Sequence, residues 1–296
     1  MRTPTIMVAT DGAASGEATV RWAAAEAARR HCRLSVAHVL DWDWTMARYD
    51  IHGTQAATVR RAAEDVTAAA TTAARAAAPD VPGGRVTLVG DPAARLLAAA
   101  ADDDVDLLVL GHRGHGGFAG LLLGSVGQRV ATHAPGPVVV VRGRSGATDG
   151  PVAAGVDDSA AAGHVLATAF TAAADRGTGL EVIRSYLPVV PLQYHYRDVA
   201  PQSVRTPEQD TAERDRLEAQ LAPWRMKFPE VPVETLLSHD GAAGLLTGVS
   251  RSAQLVVVGS RGHGVVAGSL LGSTGLQLLQ HADCPVYLDR QRRDHR

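Results

Sequence analysis

Short aliphatic runs alternate with longer alanine-rich stretches along this chain, and the whole pattern occurs twice. Residues 107–110 and 255–258 are apolar at every position, as expected for strands that helices cover on both faces. Strands that alternate with helical stretches indicate βαβ units and a parallel sheet. We therefore predict an α/β fold with five strands in each half.

The predicted elements follow the same order in both halves. The first half has predicted strands at 5–10, 34–39, 85–89, 106–110 and 138–142, and predicted helices at 15–30, 54–77, 92–101 and 125–133. The second half has predicted strands at 152–156, 180–185, 233–237, 255–258 and 286–289, and predicted helices at 159–176, 207–227, 242–252 and 273–281. Glycine, serine and proline without hydrophobic periodicity predict a linker between the halves. The predicted domains are 1–143 and 152–290, with a linker at 144–151 and a tail at 291–296.

A glycine pattern, Gly-x2-Gly-x9-Gly-Ser, directly follows an aliphatic strand in each half. Its residues are Gly111, Gly114, Gly124 and Ser125, and, 148 residues later, Gly259, Gly262, Gly272 and Ser273. One interpretation is that these glycines only shape a tight connection. A duplicated loop that keeps both spacings favours the other interpretation, a backbone that approaches a ligand closely.

Phosphate is the ligand that this loop predicts. Backbone N–H groups at a glycine loop and at the start of a helix attract anions, and Arg113 and Arg261 within the loops add positive charge. Ligands of doubly wound sheets bind at the carboxyl ends of strands, where Asp11 and Asp157 also lie. Ser15 and Ser159 are better placed to cap the following helices, which leaves the two aspartates for a ribose or a metal.

Composition excludes several other functions. A net charge of −2 and a pI near 6.6 argue against nucleic-acid binding. Apolar runs too short to span a bilayer, no signal-peptide pattern and two cysteines in different halves predict a soluble cytoplasmic protein. Lys227 is the only lysine and lies far from the glycines, so the loop is not a Walker motif. His112, His115 and His263 lack a supporting cluster, so the predicted metal is magnesium carried by a nucleotide.

The glycine spacing after a hydrophobic strand, with a following helix that ends in His-Ala and a strand that begins Pro-Val, resembles the universal stress protein family. The resemblance covers the whole chain as two tandem domains. It implies two doubly wound domains, each with a five-stranded parallel sheet of order 3-2-1-4-5 and helices on both faces, and it implies ATP binding. In this order the strands at 138–142 and 286–289 are sheet edges, so we expect them to pair and join the halves as a pseudo-twofold. A homodimer is left open.

Carried over to this chain, the resemblance implies one nucleotide site in each half. The first site comprises Ala9, Thr10, Asp11, Val39, Gly111, Gly114, Gly124, Ser125 and Val126. The second comprises Gly155, Val156, Asp157, Ser185, Gly259, Gly262, Gly272, Ser273 and Thr274. Ala9 departs from the family pattern by one methyl group, whereas Gly155 follows it.

The leading functional hypothesis is a cytoplasmic ATP-binding module that regulates or binds unknown protein partners in a stress response. A slow ATP hydrolase or a nucleotidyl transferase is the enzyme alternative, although no base–nucleophile pair lies near the loops. A third hypothesis is a binder of another nucleotide, such as cyclic AMP, or of a flavin. Two phosphate-binding elements in each site favour a polyphosphate.

Overall fold

The computed structural model describes residues 2–41, 54–101, 105–112, 114, 123–188, 206–260 and 271–291. The first half contains β1 (Thr5–Ala9), α1 (Ala14–Arg29), β2 (Arg33–Leu40), α2 (Thr54–Ala77), β3 (Gly83–Val89), α3 (Pro92–Ala101), β4 (Leu107–Gly111), α4 (Ser125–His133) and β5 (Val138–Val141). The second half contains β6 (Val152–Gly155), α5 (Ala162–Ala174), β7 (Leu180–Ser185), α6 (Pro207–Lys227), β8 (Val233–Ser238), α7 (Ala242–Val249), β9 (Leu255–Gly259), α8 (Ser273–His281) and β10 (Val286–Asp289). The predicted alternation of strands and helices is confirmed.

Neither predicted serine cap is present. The residue that precedes α1 is Ala13, the residue that precedes α5 is Ala161, and neither helix has a side-chain cap. Ser15 lies inside the first turn of α1. Ser159 instead donates its N–H to the Oδ1 atom of Asp157, over 2.9 Å, and α5 begins three residues later than predicted. The prediction of two serine caps was wrong. In both units the aspartate that follows the strand accepts the N–H two residues later, and the helix then begins without a side-chain cap.

The first compact unit comprises Met1–Gly146 and Pro285–Arg296. Its strand order β3-β2-β1-β4-β5 is parallel throughout and confirms the predicted order 3-2-1-4-5. β10 pairs antiparallel with β5, with Val286 opposite Val140 and Leu288 opposite Val138, so the expected pairing of the two terminal strands is present. This pairing explains why the last strand belongs to the first unit, although it is the final strand of the second half in sequence.

The second compact unit comprises Ala147–Cys284. Its strands run β8-β7-β6-β9, all parallel, which are the first four positions of the same order. The central strands β6 and β9 are almost completely buried, as their uniformly apolar sequences predict. Contacts of α5 with α6 and of α7 with α8 provide the two helix layers of a doubly wound unit.

A buried carboxylate connects α1 to the C-terminal segment of the first unit. The Glu26 side chain is 0% exposed and accepts hydrogen bonds from Arg30, over 2.7 Å, and from Arg29, over 3.2 Å. The Arg30 guanidinium lies 5.4 Å from the ring centroid of Tyr287 in β10. Burial raises the pKa of the Tyr287 phenol, so this residue is neutral beside the charged pair. These contacts give β10 a side-chain attachment in addition to its ladder with β5.

Two glutamates in the second unit predict a pH-dependent stability. Glu181 in β7 is the register partner of Glu234 in β8. Burial, and next the charge of Glu234, raise the pKa of Glu181 above its ordinary 4.5. The native protein therefore keeps a proton that the unfolded chain releases, and stability falls as pH rises from 4.5 through the folded-state pKa. Glu181→Gln is expected to raise the free energy of unfolding by about 0.5 kcal/mol at neutral pH.

Urea unfolding at neutral pH and near pH 4 measures this effect. The gain should largely disappear at the lower pH, which lies below the ordinary pKa of 4.5 for Glu181, because the Glu181 carboxyl is then mostly protonated in the folded and the unfolded chain alike. Glu234→Gln is the matched control, because it removes the repulsion and leaves the partly buried Glu181 carboxyl in place, so its gain should be smaller. An equal effect of Glu181→Gln at both pH values would contradict the assignment.

Candidate functional site

A cavity of about 280 Å³ lies at the carboxyl ends of the strands in the second unit. Its volume is at the lower end of the range of about 300–1,000 Å³ that is common for small-molecule sites. The cavity brings together eight of the residues predicted for the second site: Gly155, Val156, Asp157, Ser185, Gly259, Gly272, Ser273 and Thr274. Arg261 and Gly262 lie outside the described residues.

The start of α8 forms part of the cavity lining. Gly272 precedes the helix, and its N–H donates to the Ser260 carbonyl over 2.9 Å, which closes the loop after β9. No side chain caps the helix, and its first internal bond runs from Leu276 N to Gly272 O. The N–H groups of Ser273 and Thr274 therefore have no acceptor within the helix and remain for a ligand. This end can bind an anion.

Gly272 itself is not required by the conformation of the chain. Its φ of −70° is ordinary for any residue. A Cβ atom added there would lie no closer than 3.7 Å to another heavy atom, the Ser260 carbonyl oxygen. Neither strain nor packing accounts for the glycine, and the side-chain space that it leaves borders the cavity at the helix start.

Another part of the cavity lining is apolar. Its walls include Val156, Val165, Ile183, Leu246 and Val258. A Cβ atom on Gly155 would lie 2.7 Å from Leu246 Cδ1, so the missing side chain lets Leu246 pack against the end of β6. The cavity therefore combines an apolar wall with a row of backbone donors and hydroxyl groups, a combination suited to a ligand with an apolar ring and an anionic group.

Asp157 is less free than the sequence suggested. Its Oδ1 atom accepts the N–H of Ser159 over 2.9 Å and also the Ser159 hydroxyl. Asp11 makes the same turn in the first unit, where its Oδ1 accepts the N–H of Ala13 over 3.0 Å. One oxygen of each carboxylate thus stabilises its own turn, and the role of both aspartates at a ribose or a metal stays a prediction. Among the described lining residues, Asp157 is the only charged one.

A buried arginine in β7 connects the turn at Asp157 and Asp158 to α6. Arg184 in β7 is 3% exposed and donates to Glu213 Oε2 through Nε, over 2.8 Å. It also forms an ion pair with Asp158 and donates to Gln220 Oε1 over 3.3 Å. Gln220 in turn donates to the Asp157 carbonyl over 3.4 Å. Burial opposes the charge of Arg184, but the hydrogen bond and charge of Asp158 and the carboxylate of Glu213 more than offset it and raise its pKa.

Three polar side chains meet just beyond Ser185. The Tyr186 hydroxyl donates to Asp210 Oδ1, and His239 Nε2 donates to the same oxygen over 2.7 Å. The rings of Tyr186 and His239 meet edge to face, with centroids 5.0 Å apart. The two donors, Tyr186 first, hold the pKa of Asp210 below its usual value. This cluster attaches the first turn of α6 to the end of β8.

In the first unit, the predicted residues after β1 form a tight turn. Thr10 is 9% exposed, and its carbonyl accepts the Nδ1–H of His38 over 2.8 Å. The Thr10 hydroxyl accepts the Gly12 N–H over 3.2 Å. A Cβ atom on Gly114 would lie 2.3 Å from Asp11 Oδ2, so the glycine loop approaches the aspartate closely. The structure thus brings two predicted site residues, Asp11 and Gly114, into direct proximity.

The start of α4 in the first unit repeats the start of α8. The N–H of Gly124 donates to the His112 carbonyl over 2.9 Å, and no side chain caps the helix. Ser125 and Val126 supply the N–H groups of its first turn. The other predicted residues, Ala9, Val39 and Gly111, lie at or near the carboxyl ends of β1, β2 and β4. Arg113 lies outside the described residues.

No group of three or more His, Cys, Asp or Glu residues in the described part of the chain is arranged to hold a metal ion. Among the helices described, none combines the length and the apolar composition needed to cross a bilayer.

Sequence reasoning missed most of the walls of the cavity and the arginine network. The additional lining residues are Ser159, Ala161, Ala162, Val165, Ile183, Ala242, Leu246, Val258 and Gly275. Apolar wall residues have no sequence signal that separates them from other core residues. Arg184 did have one, because it is a basic residue inside a predicted strand, directly after Val182 and Ile183.

Comparison with known proteins gives a consistent result. The model of the universal stress protein family matches the chain twice, over residues 3–142 and 150–290. A universal stress protein of Mycolicibacterium smegmatis is 32% identical over 298 residues, covering 97% of both chains. One of Mycobacterium tuberculosis is 30% identical over 303 residues, again with 97% of both chains covered. The crystal structure of a universal stress protein from Archaeoglobus fulgidus shares the fold, with a TM-score of 0.72 at 17% identity over 98% of this chain and 99% of that chain.

Proposed function

The chain belongs to the universal stress protein family, and on this premise we propose that it is a cytoplasmic ATP-binding module of the stress response. ATP occupancy, with magnesium, regulates its interactions with protein partners. The second unit contributes one site, at the cavity bounded by Gly155, Asp157 and Gly272. The first unit contributes the equivalent site around Asp11 and Gly124, so that up to two nucleotides bind per chain.

The observation that carries this proposal is the mixed lining of the second-unit cavity, which includes apolar side chains and the start of a helix. Its apolar wall, with Val156, Ile183 and Leu246, suits a purine ring and ribose. The uncapped start of α8 suits phosphate. The described lining contains Asp157 and no basic side chain, so a polyphosphate needs a cation. Magnesium bound to the nucleotide supplies that charge and keeps its own water ligands.

Titration calorimetry with ATP, with and without magnesium, tests the proposal. ATP should bind with a stoichiometry between one and two per chain, and chelation of magnesium should weaken it. Cyclic AMP is the comparison ligand, because a preference for it would replace ATP in the proposal. Mass spectrometry of whatever nucleotide copurifies with the protein is an independent check. The absence of any nucleotide binding would refute the proposed function.

ATP held in these sites is expected to turn over slowly, so that the bound state persists as a signal. Backbone N–H groups and serine hydroxyls bind ground-state phosphate, and binding of that kind does not lower the chemical barrier. Rapid hydrolysis needs a group that positions water and cations that match the charge developing on the γ-phosphate. Asp157 already uses one carboxylate oxygen in its turn. Phosphate release at saturating ATP and magnesium should therefore stay well below about one per second.

The hydrolase alternative makes the opposite prediction for the same measurement. Turnover of about one per second or faster lies within the normal enzyme range. If that rate were abolished by Asp11→Ala combined with Asp157→Ala, the protein would be an ATPase and not a slow switch. Wild-type protein and the double variant should be compared at matched ATP occupancy, so that lost binding is not mistaken for lost chemistry.

A further inference from the structure

Arg184 does not line the cavity, although both of its neighbours do. Ile183 and Ser185 contribute to the cavity wall. Because successive side chains of a strand point to opposite faces, Arg184 lies on the other face of the sheet, where α6 supplies Glu213 and Gln220. The network around Arg184 therefore reaches the cavity only indirectly, through the residues that Arg184 contacts.

The network reaches the cavity through the turn after β6. Asp158 is paired with Arg184, although its own side chain is 46% exposed. The ion pair therefore joins a surface carboxylate to a buried guanidinium. Gln220 bonds to Arg184 at one end of its amide and to the Asp157 carbonyl at the other, over 3.3 and 3.4 Å. The Arg184 guanidinium thus holds two consecutive residues of the turn. It contacts Asp158 directly and Asp157 through the Gln220 amide.

We infer that Arg184 is a positioning residue, which holds the turn at Asp157 and Asp158 in the geometry that the ligand of the second unit requires. The planar guanidinium donates in several directions at once, which a lysine ammonium does not reproduce with the same geometry. Its charge is neutralised by Glu213 from α6 and by Asp158 from the turn. The position of α6 is thereby coupled to the turn that lines the cavity. The first unit has His38 at the equivalent strand position, so the device belongs to the second unit.

Replacing Arg184 would leave the buried Glu213 with only the exposed Arg216 as a partner and risks unfolding, so the test removes the connection at the turn. Asp158→Ala combined with Gln220→Ala breaks both links and keeps the Arg184–Glu213 pair. Arg216→Ala is the matched control, because Arg216 pairs with Glu213 from the solvent side, with a side chain 60% exposed, and does not reach the turn. Asp158→Glu is the conservative variant that should largely restore the behaviour of the wild type.

Amide hydrogen exchange of the ligand-free full chain is the first measurement. Residues 156–160 should exchange faster in the double variant than in the wild type, and Arg216→Ala should leave them unchanged. This measurement needs no ligand and so does not depend on the proposed function. Unchanged exchange in the double variant, or equal acceleration in the control, would overturn the inference.

The second measurement, the affinity for ATP and magnesium, rests on the proposed function. The double variant should bind on the order of tenfold more weakly, as when other orienting groups around a ligand site are removed. Arg216→Ala should bind within about twofold of the wild type and Asp158→Glu should recover most of the loss. If wild-type protein binds no nucleotide, the proposed function fails while the exchange result still decides the role of Arg184. If wild-type protein binds and the double variant binds equally well, the inference fails alone.

Discussion

Gly124→Asp combined with Gly272→Asp is expected to weaken ATP binding by on the order of 100-fold, with no loss of stability. Each aspartate would stand at the residue preceding a helix, and its carboxylate would accept the same N–H groups that are expected to bind phosphate. Loss of charged hydrogen bonds of about 1.5–3 kcal/mol, with added repulsion, accounts for a change of this size. The backbone should tolerate both changes, because φ is −69° at Gly124 and −70° at Gly272.

The same double substitution should stabilise the fold slightly. Weaker ATP binding together with higher stability separates a lost ligand contact from a damaged fold. An aspartate in place of glycine at a helix start is worth a few tenths of a kcal/mol. Calorimetry with ATP and thermal unfolding should be measured on the same preparation. Gly124→Ala with Gly272→Ala is the control, since it adds the Cβ atoms without the charge and should weaken binding much less. Unchanged ATP affinity in the aspartate variant would exclude the starts of α4 and α8 as phosphate sites.

Glu26→Ala is expected to lower the free energy of unfolding of the first unit by about 3 kcal/mol. Glu26 is completely buried, and its removal leaves two arginines, 20% and 29% exposed, without their shared carboxylate. It also weakens the attachment of α1 to Tyr287 in β10. Denaturant unfolding, followed by circular dichroism, measures the loss.

The chain supplies a close control for this prediction in the same helix. Glu17 pairs with Arg21 at the same four-residue spacing as Glu26 and Arg30, but its side chain is 54% exposed and that of Arg21 is 57% exposed. Glu17→Ala should therefore cost no more than about 0.5 kcal/mol. Glu26→Gln should fall between the two, because it keeps the shape and part of the hydrogen bonding. Equal losses for Glu17→Ala and Glu26→Ala would mean that burial of the pair contributes nothing.

For five helices, the sequence alone predicted both the first and the last residue. The predictions at 54–77, 92–101, 125–133, 207–227 and 273–281 coincide with α2, α3, α4, α6 and α8. Proline at the first helical position marks Pro92 and Pro207, and glycine followed by serine marks Ser125 and Ser273. These signals are local, so the sequence contains all the information needed. The predicted starts of α1 and α5 were less accurate. In each case a serine was expected to cap the helix, but the preceding aspartate formed the turn before it.

The parts of the candidate site that consist of backbone could be predicted from the sequence. The glycine spacing identifies where a strand ends and a helix begins, and both positions follow from nearest neighbours in sequence. The engagement of Asp157 with Ser159 was not foreseen, since either residue could have formed the turn. The apolar wall was not foreseen either, because Leu246 lies near Gly155 only after α7 has packed on the sheet.

Two repeated α/β units, the order of their elements and the position of the glycine loops can all be predicted from the amino-acid sequence. Each of these depends on periodicity or on residues a few positions apart, which the chain expresses before it folds. Folding brings Arg184 together with Asp158, Glu213 and Gln220, which are 26, 29 and 36 residues away. Folding also pairs β10 with β5 and places the Tyr287 ring next to the Arg30 guanidinium. Burying a charge or a strand edge is favourable only when its partner is already in place, and no local pattern specifies a partner at that distance.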